Sequence, residues 1–282
     1  MDNKKLTELK LTAANVRKHI LTGTHAAASG HPGGSLSIAD VITLLYFEVM
    51  NTSPETAKSP DRDRFVLSKG HCAPALYGVL AERGYFPKED IATLRRTGSY
   101  LQGHPDMKAI PGVDMSSGSL GQGISAANGM ALAGKIDKRD FRVYTILGDG
   151  ELEEGQVWEA AMYASHYKLD NLTAFVDFNG LQIDGDIEKV MSPLPIDKKF
   201  EAFGWNVIVC DAHDFNALLD AINQAKETKG KPTMIILKSV KGKGVSFMEN
   251  NPSWHGSAPN DEQYAQAIAE IDAEIERIKE GA

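Results

Sequence analysis

The chain has 282 residues, 42% hydrophobic and 24% charged, enough for one large domain or two small ones around a substantial core. Its formal net charge of -8 makes the average surface repel nucleic acid and anionic membranes, so a phosphorylated ligand has to be held by a local device. Cys72 and Cys210 lack CxxC spacing and read as small buried hydrophobes; the polar start MDNKKLTELK and the lack of an apolar run of about 18 residues point to the cytosol, with no signal peptide and no membrane span.

In chain order, apolar residues at helical spacing run from Leu6 through Leu9, Val16 and Ile20 until Ser29-Gly30-His31-Pro32-Gly33-Gly34 breaks the pattern. Ser35 is expected to cap a second helix reaching Met50, followed by a strand over 64–67 and a loop carrying His71. The middle alternates: a helix over 120–134, a strand over 143–147, a helix over 154–167 and a strand over 172–177. Later come a strand over 207–209, a helix over 215–228, a strand over 233–237 and a terminal helix over 261–280. Helices between short β-branched runs are what parallel strands with crossovers require, so the expected fold is α/β, a mainly parallel sheet flanked by helices. No repeat or linker divides the chain, and a single domain over 1–282 is expected. The stretches 97–119, 179–195 and 242–259 read as long loops rich in Gly, Pro, Asn and His, the kind that carry function.

The most informative segment runs from the strand at Val143 into Gly148-Asp149-Gly150 and then a helix. Ligands of open α/β sheets bind at such carboxyl ends of strands. Asp149, Glu151, Glu153 and Glu154 crowd the position that a pyrophosphate would take, and a bare diphosphate is expected to be repelled. A divalent cation, Mg²⁺ or Ca²⁺, resolves the conflict by joining carboxylate to diphosphate oxygens. After the next strand, Asp177-Phe178-Asn179-Gly180-Leu181 offers an amide oxygen and a loop carbonyl; adjacent parallel strands place Asp149 and Asn179 side by side.

A GDG turn, a helix and a strand ending in Asn resemble the diphosphate-and-metal motif of thiamine-diphosphate enzymes. Over nearly its whole length the chain is similar to the amino-terminal half of transketolases, in Ser29-Gly-His-Pro-Gly33, Arg62-Asp-Arg-Phe-Val-Leu-Ser-Lys-Gly-His71, Gly103-His-Pro105, Gly118-Ser-Leu-Gly-Gln-Gly123 and Trp254-His-Gly256. The resemblance implies that Asp149 and Asn179 ligate the metal through side-chain oxygens and Leu181 through its carbonyl. It implies that Gly150 approaches the diphosphate, and that Gly118 and Leu120 contact the cofactor sterically and by main chain. His31 and His104 would bond sugar hydroxyls and shuttle protons, while His71 and His255 would face the diphosphate and the reacting centre; imidazoles suit proton work because they titrate near neutrality. His19, His25, His166 and His213 are read as structural or surface residues. Glu154 is implied to belong to an acidic link between two cofactor sites across a dimer. Glu159 stays open between that role and a favourable charge near a helix amino terminus.

The implied reaction moves a two-carbon ketol unit from a ketose phosphate to an aldose phosphate, with thiamine diphosphate as electron sink. In the family the glutamate, aromatic pocket and phosphate-binding arginines that complete the site lie in a second half, and this chain ends at Ala282. The expectation is therefore a natural subunit that binds cofactor poorly by itself and works with a second, pyrimidine-binding chain as α2β2. A truncated longer chain reads the same way. The alternatives are a non-catalytic assembly paralogue, or the α subunit of a 2-oxoacid dehydrogenase or a deoxyxylulose-phosphate synthase. A nicotinamide-binding domain fits worse, since GDGELEEG lacks GxGxxG spacing.

Overall fold

The computed structural model describes residues 1–281. Helix α1 (Asn3–Ala26) starts on Asp2, whose carboxylate accepts the Lys5 N–H at 2.7 Å. The chain then turns at Gly30 and His31 into α2 (Pro32–Leu36), where proline at the first position has its φ pre-set for a helix. A single helix capped by Ser35 was expected here. Instead Ser35 lies inside α2, its hydroxyl donating to His31 O at 2.6 Å, and helix α3 (Ala39–Leu44) follows only after a break, widening into a π turn over Leu45–Val49. A tertiary bond sits at that break: the Ser37 hydroxyl donates to the Asp177 carboxylate at 2.7 Å.

Strand β1 (Arg64–Leu67) leads through His71 into α4 (Ala73–Arg83), which the apolar pattern did not reveal. Every residue from Ala73 to Ala81 is buried, so α4 has no polar face to mark its period. Next come α5 (Gln122–Ile136), β2 (Val143–Gly148), α6 (Gly155–His166) and β3 (Leu172–Phe178). The segment 179–195, expected to be loop, forms a small antiparallel hairpin of β4 (Leu181–Gln182) and β5 (Gly185–Asp186) with a one-turn helix α7 (Ile187–Val190). Pieces this short carry no readable period. The remainder is α8 (Ile196–Ala202), β6 (Asn206–Asp211), α9 (Phe215–Glu227), β7 (Thr233–Lys238) and α10 (Asp261–Glu280), the last started by a capping box of Asn260 and Gln263.

The main sheet has the order β1-β2-β3-β7-β6 with every pairing parallel. Alternate side chains feed two cores, as strand geometry requires. Tyr144, Ile146, Phe175, Ile235 and Leu237 pack with α1, α3, α4 and α9, whereas Val143, Leu147, Ala174, Val176, Met234 and Ile236 pack with α5, α6 and α8. Because the strands are parallel, the carboxyl ends of β1, β2, β3 and β7 share one edge, where Gly148 pairs with Asp177 and Asp177 with Leu237. Ser68 to His71, Asp149-Gly150, Asn179 to Leu181 and Val240-Lys241 all leave the sheet there.

Candidate active site

A cavity of about 590 Å³ opens over this edge. It is lined by every residue singled out as a site residue: His31, His71, His104, His255, Gly118, Leu120, Asp149, Gly150, Glu154, Asn179 and Leu181. Glu154 is exposed at its rim, and Glu159 lies outside it on the exposed side of α6. A larger cavity, about 690 Å³, lies between α1, the 243–249 loop and α10 and holds none of these residues.

The oxygen-rich corner is assembled from two strand ends. Asp149, 3% exposed, accepts the Gly150 N–H at 2.9 Å and the Gly180 N–H at 2.7 Å. Burial, reinforced by the charge of Asp177, pushes its carboxyl up to about 6. The Asn179 amide is oriented at both ends: Oδ1 accepts the Leu181 N–H at 3.1 Å and Nδ2 donates to Asp177 at 3.1 Å. The Leu181 carbonyl accepts from the Lys241 ammonium at 3.1 Å. A carboxylate, an amide and a carbonyl oxygen are the hard donors that Mg²⁺ and Ca²⁺ take. Among the described residues no group of three or more His, Cys, Asp or Glu side chains is placed to hold a metal, so a cation in this corner would complete its shell with ligand or water oxygens.

Asp149, Glu151, Glu153 and Glu154 all line the cavity, as expected, but one of these carboxylates is already engaged by the protein. Glu151 is 2% exposed, with its carboxylate occupied in accepting the Gly121 N–H at 2.8 Å, the Gly148 N–H at 3.0 Å and the Ser68 hydroxyl. It ties the loops after β1 and β2 to the start of α5, and burial raises its pKa. Two buried lysines, overlooked as site residues, add positive charge. Lys69 is paired with Asp177 and donates to Gly34 O at 2.8 Å; burial opposes its charge, but Asp177 outweighs burial and raises its pKa. Lys241, 2% exposed, touches His255 Nδ1 at 3.2 Å, and burial together with the charge of Lys69 lowers its pKa. In the sequence, Lys241 sits in Lys238-Ser-Val-Lys-Gly-Lys243 and looks like part of a solvated basic turn.

Three histidines from distant loops form a triangle. The ring centroids of His31 and His71 are 5.1 Å apart, His31 and His255 5.3 Å, and His71 and His255 5.2 Å. Burial first, then neighbouring cations and imidazoles, pulls His31 and His71 down to about 4 and His255 to about 3. His31 Nδ1 is buried without a hydrogen-bond partner among the described residues. His104 stands against Gly118, where an added Cβ would lie 3.1 Å from the imidazole Cδ2; its pKa is lowered by burial and by Arg95.

A family model described as the thiamine diphosphate binding domain of transketolase matches residues 10–275. The chain belongs to the transketolase family. It is 47% identical over 267 residues to the 6-deoxy-6-sulfo-D-fructose transketolase subunit of Clostridium sp. (strain MSTE9), covering 95% of this chain and 97% of that one. One of the subunits of the apulose-4-phosphate transketolase of Phocaeicola vulgatus is 42% identical over 271 residues, covering 96% of both. Human transketolase is 44% identical over 280 residues, covering 99% of this chain but 44% of the human one. The crystal structure of Pichia stipitis transketolase with sedoheptulose 7-phosphate superposes with a TM-score of 0.86 at 31% identity, covering 97% of this chain and 45% of that one. The chain thus spans less than half the length of the last two and nearly all of the first two. As a transketolase, it is an enzyme chain of the transferase class, a subunit whose α/β fold is the thiamine-diphosphate-binding one. Among the described residues no helix is long and apolar enough to cross a membrane.

Proposed function

We propose that this chain supplies the diphosphate- and metal-binding half of a two-chain transketolase in the cytosol, joined to a pyrimidine-binding chain as α2β2, with Mg²⁺ as the metal. The observation that carries the reading is the meeting of Asp149, Asn179 Oδ1 and the Leu181 carbonyl with a triangle of His31, His71 and His255 in one cavity. The donor set fits a hard cation, the buried ammonium groups of Lys69 and Lys241 suit an anionic diphosphate, and the unpartnered His31 Nδ1 suits a ligand hydroxyl.

Thiamine diphosphate, when bound, supplies the nucleophilic carbon and the electron sink for the transferred two-carbon unit. Asp149, Asn179 and Leu181 then hold the metal, and Gly150 lets the backbone approach the diphosphate. Gly118 and Leu120 flank the ring system. His31 and His104 bond and orient the sugar hydroxyls; His71 and His255, kept uncharged near neutrality by burial, accept and return protons at the reacting centre. Glu154 at the exposed rim faces outward, where an acidic contact with a second site would form.

Donor and acceptor are a ketose phosphate and an aldose phosphate, with the ordinary pentose phosphates as the first pair to test. The names of the similar subunits add a sulfonated hexose and apulose 4-phosphate as donors to include. The test is a coupled assay with thiamine diphosphate and Mg²⁺, on this chain alone and mixed with the product of the neighbouring reading frame. Ketol transfer only in the mixture is expected. Full activity of the chain alone refutes the two-chain reading, and cofactor binding unaffected by chelation refutes the metal site.

A further inference from the structure

We propose that Arg17, Asp40 and His213 form a clamp that positions Lys241 by gripping both ends of the Val240–Lys243 turn. This rests on the reading of Lys241 as an active-site cation. The three residues come from α1, α3 and the β6–α9 loop, and none of them lines the active-site cavity.

The clamp is a closed circuit. His213 Nε2 accepts the Val240 N–H at 3.0 Å, which leaves the ring hydrogen on Nδ1, facing Asp40 Oδ2 at 2.8 Å. The same Asp40 oxygen accepts from Arg17 Nη2 at 2.5 Å, and Arg17 Nε donates to the Lys243 carbonyl at 3.2 Å. One carboxylate therefore orients an imidazole that holds the first residue of the turn and a guanidinium that holds the last. Burial opposes the Asp40 charge, but Arg17 and the His213 hydrogen bond outweigh it and hold the carboxyl at about 2.

Between those anchors the turn has little freedom. The Gly242 N–H donates to Gly33 O at 2.9 Å, and Gly242 and Gly244 have φ of +78° and +94°. A Cβ on Gly242 would strike Met248 O at 2.3 Å, and one on Gly244 would press on Arg17 Cδ at 3.1 Å. Lys241 is the residue the gripped turn sends into the cavity, where its ammonium reaches Leu181 O at 3.1 Å and His255 Nδ1 at 3.2 Å. A purely structural ion pair would need only Arg17 and Asp40. The acceptor bond from His213 to the Val240 backbone is what couples the pair to the site, as a carboxylate-oriented histidine does in the outer shell of a metal centre.

The 690 Å³ cavity borders Arg17, Asp40 and His213, so shortening His213 opens toward that space. Hydrogen exchange on the full chain reads the clamp without any reaction. In His213→Ala, protection of the amides from Val240 to Gly244 is expected to fall by roughly ten-fold, while His213→Gln, with one acceptor and one donor, restores it. Asp40→Asn, which keeps the side-chain size, serves if His213→Ala does not fold, and is expected to lower the same protection.

In the assembled two-chain enzyme, His213→Ala is expected to lower kcat by roughly ten-fold, and that loss is expected to vanish in a Lys241→Met background. Unchanged protection of the turn, or losses that multiply independently in the double variant, would overturn the proposal. If wild-type chains together transfer no ketol unit, the functional reading fails, while the exchange result still decides whether the clamp exists.

Discussion

The Asp149 carboxylate accepts the Gly180 N–H at 2.7 Å, which fastens the residue after β2 to the turn after β3. Asp149, Asn179 and Leu181 are therefore fixed relative to one another in the protein itself, and a cation meets a preorganised set of oxygens. The same bond makes Asp149 both a charge and a strap.

Asp149→Ala removes both. Isothermal calorimetry on the assembled complex is expected to find metal-dependent thiamine diphosphate binding weakened by at least about 10-fold, the loss typical of disturbing a metal's supporting groups. Wild-type affinity in this variant would remove Asp149 from the metal site.

His104→Ala is expected to act on sugar rather than cofactor, because in the proposed function its imidazole, which lines the cavity and packs on Gly118, bonds the sugar hydroxyls. Losing one neutral hydrogen bond to a hydroxyl raises KM about 2- to 10-fold, with the cofactor dissociation constant unchanged. A change in cofactor binding alone would reverse the assignment.

The imidazole triangle predicts a pH dependence of stability. His31, His71 and His255 are held below their ordinary value of 6.5, near 4, 4 and 3, by burial and neighbouring charge. The unfolded chain takes up protons below 6.5 that the native chain refuses, so stability falls as pH drops from 6.5 through about 4. Thermal midpoints of the metal-free chain are expected to decline across that window. Replacing the three histidines by glutamine should flatten the decline, and a slope equal to that of the native sequence would show that other groups set it.

Lys69→Met leaves Asp177 charged and buried at 0% exposure with its ion-pair partner gone. Breaking a buried pair in this way costs about 3–5 kcal/mol, measured as denaturant unfolding of the single variant. Lys69→Met with Asp177→Leu is expected to recover part of that loss, since no bare charge then remains. A double variant less stable than the single one would show that Asp177 contributes mainly through Ser37, Ser239 and Asn179.

Much of the site was legible in the chain because its signals are local. Gly148-Asp149-Gly150 ends a strand, Asn179 ends the next, and loops with Gly and Pro around His31, His71, His104 and His255 announce themselves by turn chemistry. What stayed hidden depended on distant partners. Glu151 read as one of four carboxylates crowding the diphosphate position, and its engagement by Ser68, 83 positions away, and by two backbone amides had no local signal. His213 looked structural until it met Asp40, 173 positions away, and the Val240 amide.

The sequence by itself determined the strands of the main sheet, their parallel arrangement and the residues at its carboxyl edge, because buried β-branched runs and glycine turns carry their own conformational preferences. Only the tertiary structure decided which charges face the cavity. Lys69 and Lys241 turn in beside a Glu151 already held by three hydrogen bonds, since a buried charge is tolerated only where another element supplies its counter-charge or its hydrogen bonds. The break between α2 and α3 and the burial of α4 from Ala73 to Ala81 follow the same logic: their boundaries are set by what packs against them.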